Sequence, residues 1–593
     1  AKMGKDTLLF TMDLDRIARM SCNPAIGGPG KSHLVREIDA LGGAMALITD
    51  RSKINIRRLN TSKGMAMRVT RAQVDRVKYS NQMKYFLEGQ SNLRLVEGLV
   101  QGILIEDDKV CGVVTREKTE YRASSVVLAT GTFLRGKVYL GDTEYSAGRS
   151  GEPAANKLSE SLEEAGLKLE RMNTDTTPRV NGETIDFSSL DRQETMQEPF
   201  SFSYRNQKES VSPGFPVYLT RTNPRTHRII EDNIERNPRY NGTVVSAHPR
   251  YCPSLESKIV DFPAREHHKV FLEPESKSSR EYYLQGIYTS SPPDVQLGII
   301  RSMEGLADAH VERWGYGIEY DYLPPKQLKP TLETKIIDGL YSAGQINGTT
   351  GYEEAACQGV LAGINAGVSS KDQVILDRST ALTGVLVDDL VTKGVEEPYR
   401  MLPSRAEYRI MLRENNADLR LTEIARKAVT INDDYYESYR EKKQDIEEQL
   451  EYLKSTRLKP NEELNKFLRS NDTSPLEDQG ATLYELLKRP ELEFSKLGEI
   501  ADISNDLSDE VVREVEIRTK YEGYIEKQKK QIEQFKEMEE KEIPEKIDYS
   551  KIEGLSNEGR EKLEEVDPRT LGQAERIPGV SRSDITILTV WLS

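Results

Sequence analysis

The sequence predicts a mixed α/β protein: a Rossmann-like domain interrupted by a β-rich insertion and followed by an all-helical region. Three patterns carry that expectation. The run Val126-Val127-Leu128-Ala129-Thr130-Gly131-Thr132 is a buried strand ending in a small-residue turn, the form used where a dinucleotide passes close to backbone. A second strand, Gly turn and helix signal follows in GLYSAGQINGTTGYEEAACQGVLAG, after a stretch rich in Pro, Tyr and Ser with few helix signals. Beyond about residue 400, YESYREKKQDIEEQLEYLK and RTKYEGYIEKQKKQIEQFKEMEEKE carry Glu and Lys at i,i+4 spacing, which supports solvated helices. At roughly 150 residues per domain, three or four domains are expected. The patterns divide the chain into a dinucleotide-binding part at 1–184, an insertion at 185–325, the return of the first domain at 326–385 and a helical region at 386–593.

Taken in order, AKMGKDTLLFT reads as a helix end, a Gly stop and a strand over 7–11. Residues 72–88 have helical spacing, and 93–130 alternate apolar and polar with a turn at Asp107-Asp108. Near the end, Ile577-Pro578-Gly579-Val580 joins two short helical stretches, as in hairpins that grip nucleic-acid backbone, although most such turns merely pack.

The stretch MSCNPAIGGPGKS raises a sharper question, because Ala25 to Ser32 satisfies a loose phosphate-loop pattern. A phosphate loop must leave a buried strand directly, whereas LDRIARMSCNPA supplies a polar helical piece and a Pro turn. What remains is a Gly-rich loop that brings backbone close to a ligand, a helix over 31–41, and Cys22 just upstream. A thiol near a helix N-terminus and basic side chains is activated by a lowered pKa, whereas a lone Cys elsewhere is an inert small hydrophobe.

Composition sets limits. Hydrophobic residues at 37% and charged residues at 30% are an ordinary soluble balance, and no apolar run approaches the ~20 residues that cross a bilayer. The first residues contain no export signal. Cysteines 22, 111, 252 and 357 form no regular spacing, which predicts neither a disulfide framework nor a metal site and suits a reducing cytoplasmic setting. The net charge of −14 argues against indiscriminate nucleic-acid binding, but residues 51–84 set ten Lys and Arg against one Asp.

A set of long motifs then identifies a resemblance. MSCNPAIGGPGKSHL, ALGG, LNTSKGMAMRVTRAQ, VVLATGTFLRGK, PRYCPSLESKI, FLEPES, SMEG, IEYDYL, LKPTLETK, GLYSAGQINGTTGYEEAACQG, EEPYRMLPSRAEYR and LRENNADLRLTE resemble the glucose-inhibited division protein A family. The likeness continues through VEIRTKYEGYIEKQ and GLSNEG to IPGVS. It implies the FAD-dependent subunit of the enzyme that builds 5-carboxymethylaminomethyluridine at the tRNA wobble position. NADH would reduce the flavin, 5,10-methylenetetrahydrofolate would supply the carbon, and glycine or ammonium the nitrogen. The partners implied are the tRNA anticodon loop, a GTP-hydrolysing subunit and a second copy in a homodimer, with no membrane. The helical region would bind tRNA and the GTPase.

By the same resemblance Cys22 and Cys252 are the candidate catalytic thiols. Uracil C5 becomes nucleophilic once a nucleophile adds at C6, and thiolate suits that addition; which thiol attacks, and whether the other serves as acid, stays open. FAD is placed near Gly27, Gly28, Gly30, Val100, Gly131, Ala155, Gly344 and Gln345, and NADH along residues 248–262, including His248, Pro249, Arg250, Tyr251, Pro253 and Ser254. In the basic run, Lys53, Arg57, Arg58, Lys63, Arg68, Arg71 and Arg76 would face RNA, where phosphate neutralisation supplies affinity and the loop presents unstacked bases.

Departures from the family pattern are His248 where Gly is usual, Asn173 and Asp175 in NTDTTPR, and Ala155 in place of Ser. The family's opening strand and G-x-G-x-x-G turn are not in this sequence, so weak or absent flavin is the expectation for the chain as given. Three alternatives are separable. A folate-dependent tRNA uridine methyltransferase shares the flavin domain but lacks the long helical tail; a non-catalytic RNA and partner scaffold would show no flavin bleaching by NADH; a phosphate-loop NTPase would turn over GTP and lose that with Lys31→Ala.

Overall fold

The structure, a computed structural model, describes residues 1–206, 214–250, 253–477, 479–503, 507–544 and 547–592. Four parallel strands stand in two couples: Thr7–Thr11 with Leu93–Glu97, and Val126–Leu128 with Leu340–Ser342. Parallel partners need long crossovers, and here the crossovers, residues 12–92 and 129–339, carry about half of the chain. An open cleft of about 2030 Å³ lies between the couples, walled by Leu8 to Phe10 on one side and Val126 to Leu128 on the other. Beside it runs a meander of Val100–Glu106, Lys109–Thr115 and Glu120–Arg122. Its first turn places Asp107 and Asp108 at φ 52° and 58°, the left-handed pair that a tight hairpin requires.

The reading of 72–88 as helix is corrected at its start. Val69–Val74 is a strand, the β-branched end of a hairpin with Lys53–Leu59, and Ala25–Gly27 pairs antiparallel on its other side. The helix Arg76–Glu88 begins only after Asp75, whose carboxylate accepts the Lys78 amide at 2.9 Å as an N-cap.

The inserted region is a six-stranded antiparallel sheet in the order Asp191–Gln193, Val217–Arg221, Lys269–Pro274, Glu281–Gln285, Arg179–Asn181, Val311–Arg313. Helices Pro224–Asp232, Leu255–Asp261 and Pro293–Arg301 seal it, burying Ile230, Leu255, Ile259, Ile299 and Ile300 against Val270, Leu272 and Leu284. The strand Gly317–Tyr322 pairs instead with Lys137–Leu140 and Glu170–Asp175, tying the insertion back to the first domain.

The helix Lys31–Ala40 runs through the centre, with Ser32 to Ala40 all buried. Its Glu37 carboxylate accepts the amides of Leu382 and Thr383 at 2.8 and 2.9 Å, and so caps the helix Leu382–Asp388, whose own N-cap, Ala381, has no side-chain acceptor. The helix Asp433–Ser455 buries one stripe, Tyr435, Tyr439, Ile446 and Leu453, and packs on Asp509–Lys520. The terminal bundle of Asn557–Val566, Leu571–Glu575 and Arg582–Trp591 has its own core. Arg576 reaches out of it to Asp388 at 2.7 Å, and the same carboxylate receives Arg378 at 3.0 Å. Among the described residues no helix is long and apolar enough to cross a membrane.

Candidate active site

The Gly-rich loop is not a phosphate cradle. Its amides are already committed: Gly27 N–H donates to Glu353 Oε1 at 2.8 Å and Gly28 N–H to the Thr70 carbonyl at 2.8 Å. Lys31 Nζ lies 2.6 Å from Glu353 and 3.1 Å from Glu354, both buried. Burial works against the ammonium charge, but the two carboxylates outweigh it and raise the Lys31 pKa. The strand entering the loop, Ala25–Gly27, is antiparallel, so the parallel strand-to-loop exit that a phosphate loop requires does not exist here. Gly30, at φ 77°, packs against the Met401 carbonyl, where a side chain has no room.

Three of the flavin-assigned residues, Val100, Gly131 and Ala155, line the cleft between the strand couples. A Cβ on Gly131 would stand 3.8 Å from Gln345 Oε1, which brings the two Gly turns together. Gln345 and the four loop residues Gly27, Gly28, Gly30 and Gly344 are off the cleft wall; Gly27 is linked through Glu353 to the helix Tyr352–Gly367 that follows Gly344. Two further observations suit a polar, partly aromatic cofactor. Thr130 Oγ1, on the cleft wall, is buried with no hydrogen-bond partner among the described residues, and Arg149 on the same wall stacks 5.2 Å over the Phe133 ring. An unpartnered hydroxyl on this wall is compatible with a bound polar cofactor.

Cys22 is exposed at the seam between the first domain and the inserted sheet, with its sulfur 3.8 Å from the Tyr283 hydroxyl. Tyr283 is fully buried on the strand Glu281–Gln285, directly across from Arg179 in register. The Arg179 guanidinium sits 5.0 Å over the Tyr283 ring, donates to the Ser21 carbonyl at 3.1 Å and pairs with Glu275 at 3.0 Å. Burial, then the neighbouring Cys22, push the Tyr283 pKa well up, so the hydroxyl stays protonated. Composition and motif spacing single out neither residue: in REYYLQ, period 2 groups Tyr283 with Glu281 and Gln285, so alternation gives no sign that it is buried.

On the segment assigned to the nicotinamide cofactor, Cys252 and Tyr251 lie outside the described residues. Arg250 is exposed, Pro249 is buried, Pro253 is half-buried, and Ser254 caps the helix Leu255–Asp261 by accepting the Ser257 amide at 3.1 Å. Three positions that depart from the family pattern prove to be neighbours. His248 Nδ1 is 2.8 Å from Asn173 Oδ1 and His248 Nε2 is 3.7 Å from Asp175. Asn173 also holds the Ser246 carbonyl at 2.5 Å and, through its amide, the Ala247 carbonyl at 3.0 Å. Burial first, then Glu256, raise the Asp175 carboxyl to about 7. Burial first, then Arg239, lower His248 to about 3, so the ring is neutral.

The basic run divides. Lys53 is buried against the Phe200 carbonyl at 2.5 Å, Arg71 is paired with Glu273 at 2.7 Å, and Arg76 with Glu275 at 2.8 Å, so these three do not offer charge to RNA. Arg57 bonds Gln193 and stands opposite Arg71 across the hairpin, Lys63 is exposed in the connecting turn, and Arg58 and Arg68 fall on the other face. The turn at Ile577 to Val580 packs onto the bundle; a Cβ on Gly579 would meet Glu558 at 2.8 Å, so a phosphate there would meet a carboxylate. No group of His, Cys, Asp and Glu able to hold a metal occurs among the described residues.

Fold and site define a dinucleotide-domain protein with an exposed cysteine at the mouth of an inserted antiparallel sheet and a long helical tail. A family model described as glucose inhibited division protein A matches residues 1–373, and models of the C-terminal helical domain and helical bundle of the tRNA modifying enzyme MnmG/GidA match 433–529 and 531–593. The chain belongs to the GidA family. It is 49% identical to the tRNA uridine 5-carboxymethylaminomethyl modification enzyme MnmG of Bacillus licheniformis and 48% identical to that of Bacillus subtilis, over 100% of this chain and 94% of each relative. Its fold is similar to Aquifex aeolicus GidA in the form II crystal, with TM-score 0.92 and 40% identity, over 100% of this chain and 95% of that one.

Proposed function

We propose that the protein installs the carboxymethylaminomethyl or aminomethyl substituent on C5 of the tRNA wobble uridine, using FAD, NADH and 5,10-methylenetetrahydrofolate together with a GTPase partner, as a homodimer in the cytoplasm. The observation that carries this reading is the cleft lined by Val100, Gly131 and Ala155, with Gln345 Oε1 3.8 Å from where a Cβ on Gly131 would stand, in a chain aligned throughout with tRNA-uridine-modifying relatives. Bound there, a flavin would supply the two-electron redox chemistry that side chains cannot.

The chain's own residues do the rest. A thiolate, Cys22 or Cys252, adds to uracil C6 and leaves C5 electron-rich toward the one-carbon unit; loss of the C5 proton and expulsion of the thiolate then restore the ring. The Tyr283 hydroxyl lies within hydrogen-bond reach of the Cys22 sulfur, and Arg179 holds the preceding carbonyl of Ser21, which fixes where that sulfur points. The 248–254 segment, anchored by Asn173, would seat the nicotinamide cofactor.

The test is direct. The protein, extended at its start by the family's opening strand and Gly-rich turn and supplied with FAD, should bleach at the flavin absorbance on anaerobic addition of NADH, and tRNA incubated with it, the folate donor and the GTPase should carry the modified nucleoside. Cys22→Ser should bind flavin and bleach but give no modified nucleoside. Failure of that extended protein, without the Cys22 substitution, to bind flavin or to alter tRNA rejects the reading.

A further inference from the structure

The strand register splits the basic hairpin into two faces. On one, Arg71 is neutralised by Glu273. On the other, Arg58 stands opposite Thr70, and Arg68 lies two residues before Thr70 on the same side. That second face meets the helix Asp509–Lys520, from which Arg513 donates to the Met65 carbonyl at 3.4 Å. Arg58 Nε, Arg68 Nε and Arg513 Nε are all buried with no hydrogen-bond partner among the described residues.

The carboxylates nearby are spoken for. Glu414 accepts the Thr70 amide at 2.9 Å and its hydroxyl at 3.0 Å, and Glu510 pairs with Lys442 at 2.8 Å and Arg36 at 3.8 Å. Glu198 approaches Arg58 only to 3.8 Å and is itself exposed. Burial, and then the guanidiniums of Arg58, Arg36 and Arg68 against the single favourable Glu414, depress the Arg513 pKa, the mark of cations held together without enough counter-charge. Guanidiniums with unused donors in a partly dry seam match the planar, multi-oxygen geometry of a phosphodiester.

We propose that Arg58, Arg68 and Arg513 form a cradle for the RNA sugar–phosphate backbone, built jointly by the hairpin of the first domain and a helix of the C-terminal region. Here the cradle takes the substrate that the proposed function requires, and rests on that reading. Arg513 lies far from the basic run in sequence and is recruited to it only by folding.

The experiment is fluorescence anisotropy of the full chain with an end-labelled anticodon stem-loop RNA, from about 50 to about 200 mM salt. Arg58→Gln, Arg68→Gln and Arg513→Gln should each weaken binding roughly 3- to 10-fold and lower the log–log salt slope by about one phosphate contact. Arg513→Lys should retain most of the slope, and thermal melting identifies any variant whose loss comes from misfolding. Wild-type affinity and slope in the triple variant overturn the cradle. Displacement of the RNA by inorganic phosphate at low concentration overturns it too, since the site would then be one for free anion. If the unsubstituted protein itself ignores the RNA, the functional reading falls with it.

Discussion

The Cys22 sulfur and the Tyr283 hydroxyl stand 3.8 Å apart, the thiol exposed and the phenol fully buried. A donor held against a sulfur favours thiolate over thiol, by about 1 kcal/mol for one hydrogen bond. Tyr283→Phe should therefore move the pH profile of Cys22 alkylation by iodoacetamide upward by roughly 0.5 to 1 unit. Peptide mapping of the alkylated product follows the one thiol, and an unchanged profile rejects the coupling.

Asp175 and His248 give opposed pH dependences. The Asp175 carboxyl, raised from 3.8 to about 7, favours the folded state while protonated, and that contribution is lost as pH rises toward 7. His248, lowered from 6.5 to about 3, resists protonation, so its contribution is lost as pH falls below 6.5. Asp175→Asn removes the first slope and exposes the second. Urea unfolding should show the variant gaining on the parent at about pH 8, by up to roughly 4 kcal/mol, with the gain shrinking toward pH 4. A difference independent of pH contradicts the assignment.

Lys31 is a structural cation. Lys31→Met leaves Glu353 and Glu354 buried without their counter-charge, which costs about 3–5 kcal/mol of unfolding free energy. Adding Glu354→Gln should recover part of that loss. Neither ATP nor GTP should raise the melting temperature of the unsubstituted protein.

Gly131, at φ 57°, lies on the cleft wall within reach of Gln345. Gly131→Val meets the left-handed backbone penalty of about 1–2 kcal/mol and projects two methyls toward the proposed flavin position. Flavin affinity, read by titrating FAD into the protein extended by the family's opening strand and turn, should fall at least about tenfold while Tm drops by only a few degrees.

Much of the architecture was legible because it rests on local signals. The strand at Thr7–Thr11, the Asp107-Asp108 turn and the strand–Gly–helix passage into Tyr352–Gly367 each follow from residues that touch their chain neighbours. The helix start at Arg76 was misplaced because Ala72 and Val74 suit either period until Asp75 is seen to cap. Ligand assignments at Val100, Gly131 and Gln345 came from family likeness. The role of Lys31 was not legible, since its partners Glu353 and Glu354 lie 322 and 323 positions away. Nor was the division of the basic run, which linear charge density presents as one patch; alternation along Lys53–Leu59 sends Arg57 and Arg58 to opposite sides.

Asp388 receives Arg378 from the core and Arg576 from the terminal bundle on one carboxylate. Each cation has further partners, Asp389 and Glu407 for Arg378 and Glu539 for Arg576, so the shared carboxylate joins two charge networks. The tail is thus not a loose appendage trailing behind the first domain: its ion pair lands on the helix Leu382–Asp388, which Glu37 of the central helix caps at the other end.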